Sequence, residues 1–290
     1  MAAPLIISAS YRTDIPAFYG AWFRQRLAAG YALVRNPYGG PDYRVSLNPA
    51  DVAAFVFWTR NAQPFFPVLD DIADTRTPFF LQVTITGYPT VLESSTITID
   101  KAIDQVTALR ARYGRDAVVW RYDPILFTSL TDRDWHLAMF EYLCRGLKGA
   151  VTECVTSFAT HYAKTKRRLG QLDGIEAWDP PADEKKALLL DLSSIAGKNH
   201  MALTLCSQPD LLVPGVAPAR CIDAGRLSRL ADRPILAREK GNRPGCLCAQ
   251  SRDIGAYDTC PHGCVYCYAV RDPQKAKDAL AQHSPDAETL

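Results

Sequence analysis

A parallel α/β architecture, wound as a full or partial (β/α) barrel and ending in an irregular cysteine-rich segment, is what the sequence predicts. Three observations predict it. Short apolar runs alternate with stretches of helical periodicity through the first two hundred residues or so. Polar residues stand at the carboxyl ends of most of those runs. Five of the nine cysteines crowd into the last forty-five residues. Strand–helix alternation favours parallel strands, because each helix must carry the chain back across the sheet. Six good strands and one or two weak ones suit a barrel better than an open doubly wound sheet.

The elements follow in order. Residues 5–10 (Leu-Ile-Ile-Ser-Ala-Ser) read as the first strand. Phe18, Trp22, Phe23 and Leu27 then recur at helical spacing until Gly30 stops the helix. Residues 31–34 form a short extended piece before the turn-rich 36–41, and Asn48 or Asp51 begins a helical turn. Residues 55–59 and 79–86 are buried strands separated by a helix over 64–73. The spacing of Ile103, Val106 and Leu109 predicts an amphipathic helix over 99–113, closed by Gly114. Strands over 118–122, 154–158 and 202–206 alternate with helices over 131–147, 162–172 and 181–199, and a short helix covers 222–230. The small, polar and acidic residues from His283 onward predict a disordered end. Residues 1–208 therefore form the barrel body, and 209–290 a segment packed on its mouth within one structural unit.

Hydrophobic residues at 48% and charged residues at 22% describe a globular protein. A net charge of +2 gives no mandate for nucleic acid or an anionic membrane, although a local basic groove can hide in a balanced total. Leu5-Ile-Ile7 is too short for a secretory signal and no apolar run approaches a membrane span, so the expected address is cytoplasmic. There the cysteines are ligands or reduced thiols rather than disulfides.

In parallel α/β folds, sites gather at the carboxyl ends of the strands. Ser10, Arg12 and Asp14 follow the first strand, and Thr59, Arg60 and Asn61 the second. Gln82, Thr84 and Thr86 alternate along the third, Arg121 and Asp123 close the fourth, and Ser157 and Cys206 end later ones. Each has a plain explanation: an Arg12–Asp14 ion pair, Asp14 as a helix cap, Asp123-Pro124 as a turn. Together they outline a polar pocket, with Arg60, Gln82, Thr84, Arg121 and Asp123 as candidates to touch a substrate or cofactor. Two cations there suit carboxylate or phosphate. His136 and His161 read as packing or surface residues. No Ser/His/Asp arrangement, P-loop or G-x-G-x-x-G supports a rival chemistry.

Cys260, Cys264 and Cys267 are spaced C-x3-C-x2-C. Three thiolates can hold a four-iron cluster and leave one iron open. The competing reading is a structural zinc knot of Cys246, Cys248 and two of the later three. Cys206, Cys221, Cys246 and Cys248 can also complete a closed second site, for an auxiliary iron–sulfur cluster or zinc, unless Cys206 is merely core. Cys144 and Cys154 read as small buried apolar residues.

With Tyr266 before its last cysteine, the motif resembles the cluster loop of radical S-adenosylmethionine enzymes. That resemblance implies a 4Fe–4S cluster on Cys260, Cys264 and Cys267, with S-adenosylmethionine on the open iron and Tyr266 against the adenine. It implies cleavage of the cofactor to methionine and a 5′-deoxyadenosyl radical, which abstracts hydrogen from a small-molecule or unknown substrate. Electrons would come from a flavodoxin- or ferredoxin-type donor. The chain also resembles, from end to end, the bacterial family called domain of unknown function 1848. The matching landmarks include Arg12-Thr-Asp-Ile-Pro16, Val56-Phe-Trp-Thr59, Trp120-Arg-Tyr-Asp-Pro124 and Asp253 through Ala269. In radical enzymes the cysteine loop follows the first strand; here it comes near the end, which implies a circular permutation. Residues 252–257 would then be the first strand, a helix over 272–282 would follow the loop, and residues 5–10 would be the next strand in space. No Gly-Gly-Glu type segment is present, and Ser10, Arg12 and Asp14 take its place, Arg12 facing the cofactor carboxylate and Asp14 its amine. Two rivals stand beside this: a non-catalytic binding protein stabilised by zinc or an iron–sulfur cluster, and a radical lyase acting on nucleic acid through the basic run Lys164 to Arg168.

Overall fold

The computed structural model describes residues 4–37 and 39–290; Tyr38 of the turn-rich loop lies outside them. After β1 (Leu5–Ala9), the Asp14 carboxylate caps the short helix α1 (Ile15–Phe18) by accepting from the Ala17 amide at 2.9 Å. A break at Tyr19 separates α1 from α2 (Gly20–Ala29), which ends at Gly30 with φ +76°, where only glycine is unstrained. The extended piece β2 (Tyr31–Val34) pairs with β3 (Tyr43–Ser46) in an antiparallel ribbon beside the main sheet. A hydrogen-bonded turn, in which the Asp51 amide donates to the Asn48 carbonyl at 2.9 Å, replaces the helical turn expected there.

The chain then runs through β4 (Val52–Thr59), α3 (Phe66–Asp74), β5 (Phe79–Thr84), α4 (Ile99–Tyr113) and β6 (Val118–Ile125). β7 (Phe127–Thr128), α5 (Arg133–Leu147), β8 (Glu153–Phe158), α6 (Ala163–Leu169), β9 (Ala177–Trp178) and α7 (Ala182–Lys198) follow. Last come β10 (Ala202–Leu205), β11 (Ala217–Pro218), α8 (Ala224–Ala231), β12 (Ser251–Asp253) and α9 (Pro273–Gln282). β7 and β9 form a second antiparallel ribbon.

Eight strands make one parallel sheet in the order β11-β10-β8-β6-β5-β4-β1-β12. From β1 onward each new strand is added on the same side, which is a singly wound sheet. β12 breaks the sequence order by returning to the far edge of β1, with Ile6, Ile7 and Ser8 opposite Ser251, Arg252 and Asp253. The Ile254 amide extends this pairing to the Ser8 carbonyl at 3.1 Å. β11 and β12 stand at opposite ends of this order, so the architecture is α/β on an open-ended parallel sheet.

Period-two alternation sorts the strand side chains. Ile7, Phe55, Phe57, Leu81, Trp120 and Leu203 face α2, α3, α4, α5 and α7 in the main core. Ile6, Ala54, Val56, Phe80, Val119 and Val155 face the other way, against Cys221, Leu227 of α8, Ile235 and Cys248. The segment after β10 is thus the second layer over the sheet, and it contributes β11 and β12 to the sheet as well. The end of the chain corrects the expectation of disorder. The backbone carbonyls of Ala287 and Glu288 accept from Trp22 Nε1 at 2.8 Å and from the Leu33 amide at 2.9 Å. A polar tail folds here because its backbone carbonyls find donors, and because His283 packs on Tyr19 and Trp22 while Glu288 accepts from the Tyr31 hydroxyl. No helix among the described residues is long and apolar enough to cross a membrane.

Candidate functional site

The return of β12 to β1 is fixed by one buried carboxylate. Asp253 accepts from Ser8 Oγ at 3.0 Å, from Ser10 Oγ at 2.8 and 2.9 Å, and from Arg12 Nε at 2.8 Å. Arg12 Nη2 adds an ion pair at 2.7 Å. Gly255 passes so close that a Cβ there would lie 1.9 Å from Ser10 Oγ. Ser10 and Arg12, expected at a cofactor, are therefore both engaged by Asp253. This residue was not singled out from sequence, although its place beside Ile254 at the start of the cysteine segment was a signal.

The cysteine loop leaves the carboxyl end of β12. Its first turn is held by the Thr13 and Thr259 hydroxyls, which hydrogen-bond each other, and by Tyr19, whose hydroxyl donates to the Thr259 carbonyl at 2.7 Å. The segment 92–95 holds the middle: Val265 N donates to Leu92 O at 3.0 Å and Ser95 N to His262 O at 3.1 Å. Gly263, at φ +72°, would place a Cβ 2.2 Å from Ser94 Oγ, so the loop needs glycine there. His262 sits with Nδ1 3.0 Å from the Ser95 carbonyl and Nε2 2.7 Å from Asp14 Oδ2. Asp14, which also accepts from the Arg60 amide at 2.8 Å, thus faces the cysteine loop through His262.

Arg60 and Tyr266 meet on a carboxylate that sequence reasoning missed. Arg60 grips Glu93 bidentately, both bonds at 2.8 Å, while the Tyr266 hydroxyl and Thr86 Oγ1 also donate to Glu93. Glu93 is 2% exposed. Burial, ahead of the opposing influence of Arg60, holds the Tyr266 phenol well above its ordinary pKa.

Cys260, Cys264 and Cys267 are half-buried free thiols. Burial pushes Cys264 up to about 12, against Arg60, with Glu93 and Cys267 adding to the rise. Cys260 is pushed up by burial first, then by Asp14 and Cys267. These thiols are close enough to raise one another, so a metal that binds them must displace protons. Arg168, from the basic run on α6, turns inward to the same loop. One of its Nη atoms donates to the Cys267 carbonyl. Its Nε and other Nη are buried without a hydrogen-bond partner, as is the Thr165 hydroxyl one turn earlier, and Arg168 is only 8% exposed. An unpartnered cation against Cys264 and Cys267 fits an anionic, thiolate-bound group at this loop. No three His, Cys, Asp or Glu side chains among the described residues already surround one point as metal ligands do.

The remaining candidates gather elsewhere on the same sheet face. Gln82 Nε2 donates to the Cys221 carbonyl at 3.0 Å, and Arg121 Nη1 approaches Gln82 Oε1 at 3.3 Å and Cys221 Sγ at 3.0 Å. Arg121 pairs with Asp123, which also accepts from Ser157, and Thr84 stands beside Arg121 in register. Arg121 and Gln82 therefore approach Cys221, with Asp123 behind Arg121, whereas Arg60 joins the cysteine loop. Around Cys221 stand three further thiols. Its Sγ lies 3.5 Å from that of Cys206, it hydrogen-bonds Cys248, and Cys248 hydrogen-bonds Cys246. The bond to Cys248 draws the Cys246 thiol down to about 6.

The family described as domain of unknown function (DUF1848) matches residues 6–269. No curated protein is matched.

Proposed function

The chain belongs to the domain of unknown function (DUF1848) family, and from that premise we propose a radical S-adenosylmethionine-type iron–sulfur enzyme built on a circularly permuted, partial (β/α) barrel. The observation that carries this reading is the position of the three-cysteine loop. It leaves the carboxyl end of a strand that pairs in parallel with β1, at the edge of a singly wound sheet. That is where a first barrel strand and its loop belong once the chain is permuted.

When bound, a 4Fe–4S cluster would supply reductive cleavage of S-adenosylmethionine and hydrogen abstraction from the substrate, with electrons from a flavodoxin- or ferredoxin-type donor. Cys260, Cys264 and Cys267 would hold it. Arg168, whose Nε and one Nη have no hydrogen-bond partner, would offer those N–H groups to the negative charge that thiolates bring. Ser10 and Arg12 are positioning residues in this reading, because they act through Asp253 on the strand that launches the loop. Asp14 does the same through His262, inside the motif itself. Glu93 and Arg60 fix the Tyr266 hydroxyl and so orient its ring beside Cys267.

Anaerobic reconstitution followed by a dithionite-dependent assay for 5′-deoxyadenosine tests this. The expected result is about four irons and four sulfides per chain, cofactor cleavage, and loss of both on Cys264→Ala. A protein that binds iron but never consumes the cofactor would favour the non-catalytic rival. Activation of cleavage by DNA or RNA alone would favour the nucleic-acid lyase.

A further inference from the structure

We propose that Cys206, Cys221, Cys246 and Cys248 form a closed four-thiolate site for a single zinc ion. This does not rest on the radical-enzyme reading, since it involves none of Cys260, Cys264 or Cys267. The four residues come from separate places: Cys206 from the end of β10, Cys221 from the loop before α8, and Cys246 and Cys248 from the loop after it. They meet in series. Cys206 Sγ is 3.5 Å from Cys221 Sγ, Cys221 bonds Cys248, Cys248 bonds Cys246, and the Ser207 hydroxyl touches both Cys246 and Cys206. All four are free thiols.

The backbone is shaped to bring them there. A Cβ on Gly241 would lie 2.1 Å from the Cys246 carbonyl oxygen. Gly245 has φ +72°, and its Cβ would lie 2.8 Å from Pro209 Cδ. Ser207 adopts φ +55° although it is not glycine. The Lys240 amide donates to the Cys248 carbonyl at 2.9 Å and the Ala249 amide to Ile222 O at 2.9 Å, tying the Cys-x-Cys strand to the segment that carries Cys221.

The donors around the sulfurs suit thiolates. Arg121 Nη1 approaches Cys221 Sγ at 3.0 Å, Arg243 Nη2 approaches Cys206 Sγ at 3.5 Å, and the Ile222 amide points at Cys248 Sγ at 3.4 Å. Arg121 is anchored by Asp123, yet its Nη1 turns to Cys221, and Arg243 turns to Cys206; a neutral thiol is a weak acceptor and a thiolate a far better one. Four thiolates on a divalent ion carry a net charge of −2, which Arg243 and the Nη1 of Arg121, the latter shared with Asp123, offset in part. Size separates one ion from a four-iron cluster. With Zn–S bonds of about 2.3 Å, a tetrahedral ion sets its sulfurs about 3.8 Å apart. The Cys206–Cys221 separation of 3.5 Å is already near that edge. A four-iron cube, with each thiolate on a different iron, holds its cysteines farther apart. Four protein ligands also leave no open position, so the ion fastens the segment after β10 to the sheet face instead of reacting.

The test is metal analysis of the full-length protein, purified without chelator in zinc-supplemented medium. About one zinc per chain is expected, unchanged in a variant lacking Cys260, Cys264 and Cys267, and lost in Cys221→Ser and Cys248→Ser. Zinc that persists in both serine variants, extra iron in place of zinc, or a Cys206–Cys221 disulfide in mass spectra would overturn the proposal. If the serine variants fail to fold, cobalt loading of the intact protein decides. A thiolate-to-cobalt charge-transfer band with tetrahedral d–d absorption supports the site, and its absence overturns it.

Discussion

Arg168 makes a prediction whose sign depends on whether the cysteine loop is loaded. In the cluster-free protein its Nε and one Nη are buried without partners. Two such N–H groups cost about 1–3 kcal/mol each, while the bond that its other Nη makes to the Cys267 carbonyl returns about 1.5–3 kcal/mol. Arg168→Met keeps most of the packing volume and removes all three. The cluster-free variant should therefore be more stable than the parent, by on the order of 2 kcal/mol. In the reconstituted protein the sign reverses, because the parent's guanidinium now faces an anionic group. Urea unfolding under anaerobic conditions, with and without reconstitution, measures both. A variant that is less stable than the parent in the cluster-free state would refute the reasoning, since Arg168 would then be satisfied by the fold itself.

Three further predictions follow from named contacts. Glu93→Gln leaves Arg60 buried without its carboxylate and should cost about 3–5 kcal/mol in urea unfolding, much of it recovered in the Arg60→Met/Glu93→Gln double variant. Asp253→Asn strands Arg12 in the same way, so it should lower stability by about 3 kcal/mol and also reduce iron loading by loosening β12; normal loading would separate Asp253 from the cysteine loop. His136 is buried between the Tyr122 hydroxyl and the Leu126 carbonyl, and burial draws its pKa from 6.5 down to about 4. Between those values the unfolded chain takes up a proton that the folded chain refuses, so stability falls as pH drops from 6.5 towards 4, by on the order of 3 kcal/mol. His136→Gln should flatten that part of the stability–pH curve, and an unchanged slope would show that His136 does not contribute to it.

The sheet was largely legible because its strands are continuous apolar runs, the signature of strands buried on both faces. The place of β12 was legible too, once the cysteine motif demanded a strand before it. The missed parts depend on partners that no local pattern announces. Glu93 lies in the aperiodic stretch after β5, and its link to Tyr266 spans 173 residues. His262 lies within the motif, yet its role needs Asp14 from the other end of the chain. Lys164 through Arg168 read as a basic run that could meet nucleic acid, and only the three-dimensional structure shows that Arg168 turns inward. β3 was missed because Tyr43-Arg-Val-Ser is too short to carry periodicity. Ser10 and Arg12 stand out at a strand end, but a strand-end cation does not say whether its carboxylate belongs to a ligand or to Asp253.

The central claim is that Cys260, Cys264 and Cys267 hold a four-iron cluster with one iron free for S-adenosylmethionine. Electron paramagnetic resonance of the dithionite-reduced, reconstituted protein, recorded with and without the cofactor, tests it most directly. A signal of one reduced cluster that changes its g values when S-adenosylmethionine is added is the predicted result. A signal indifferent to the cofactor, or a loop that takes up zinc and no iron, would contradict it.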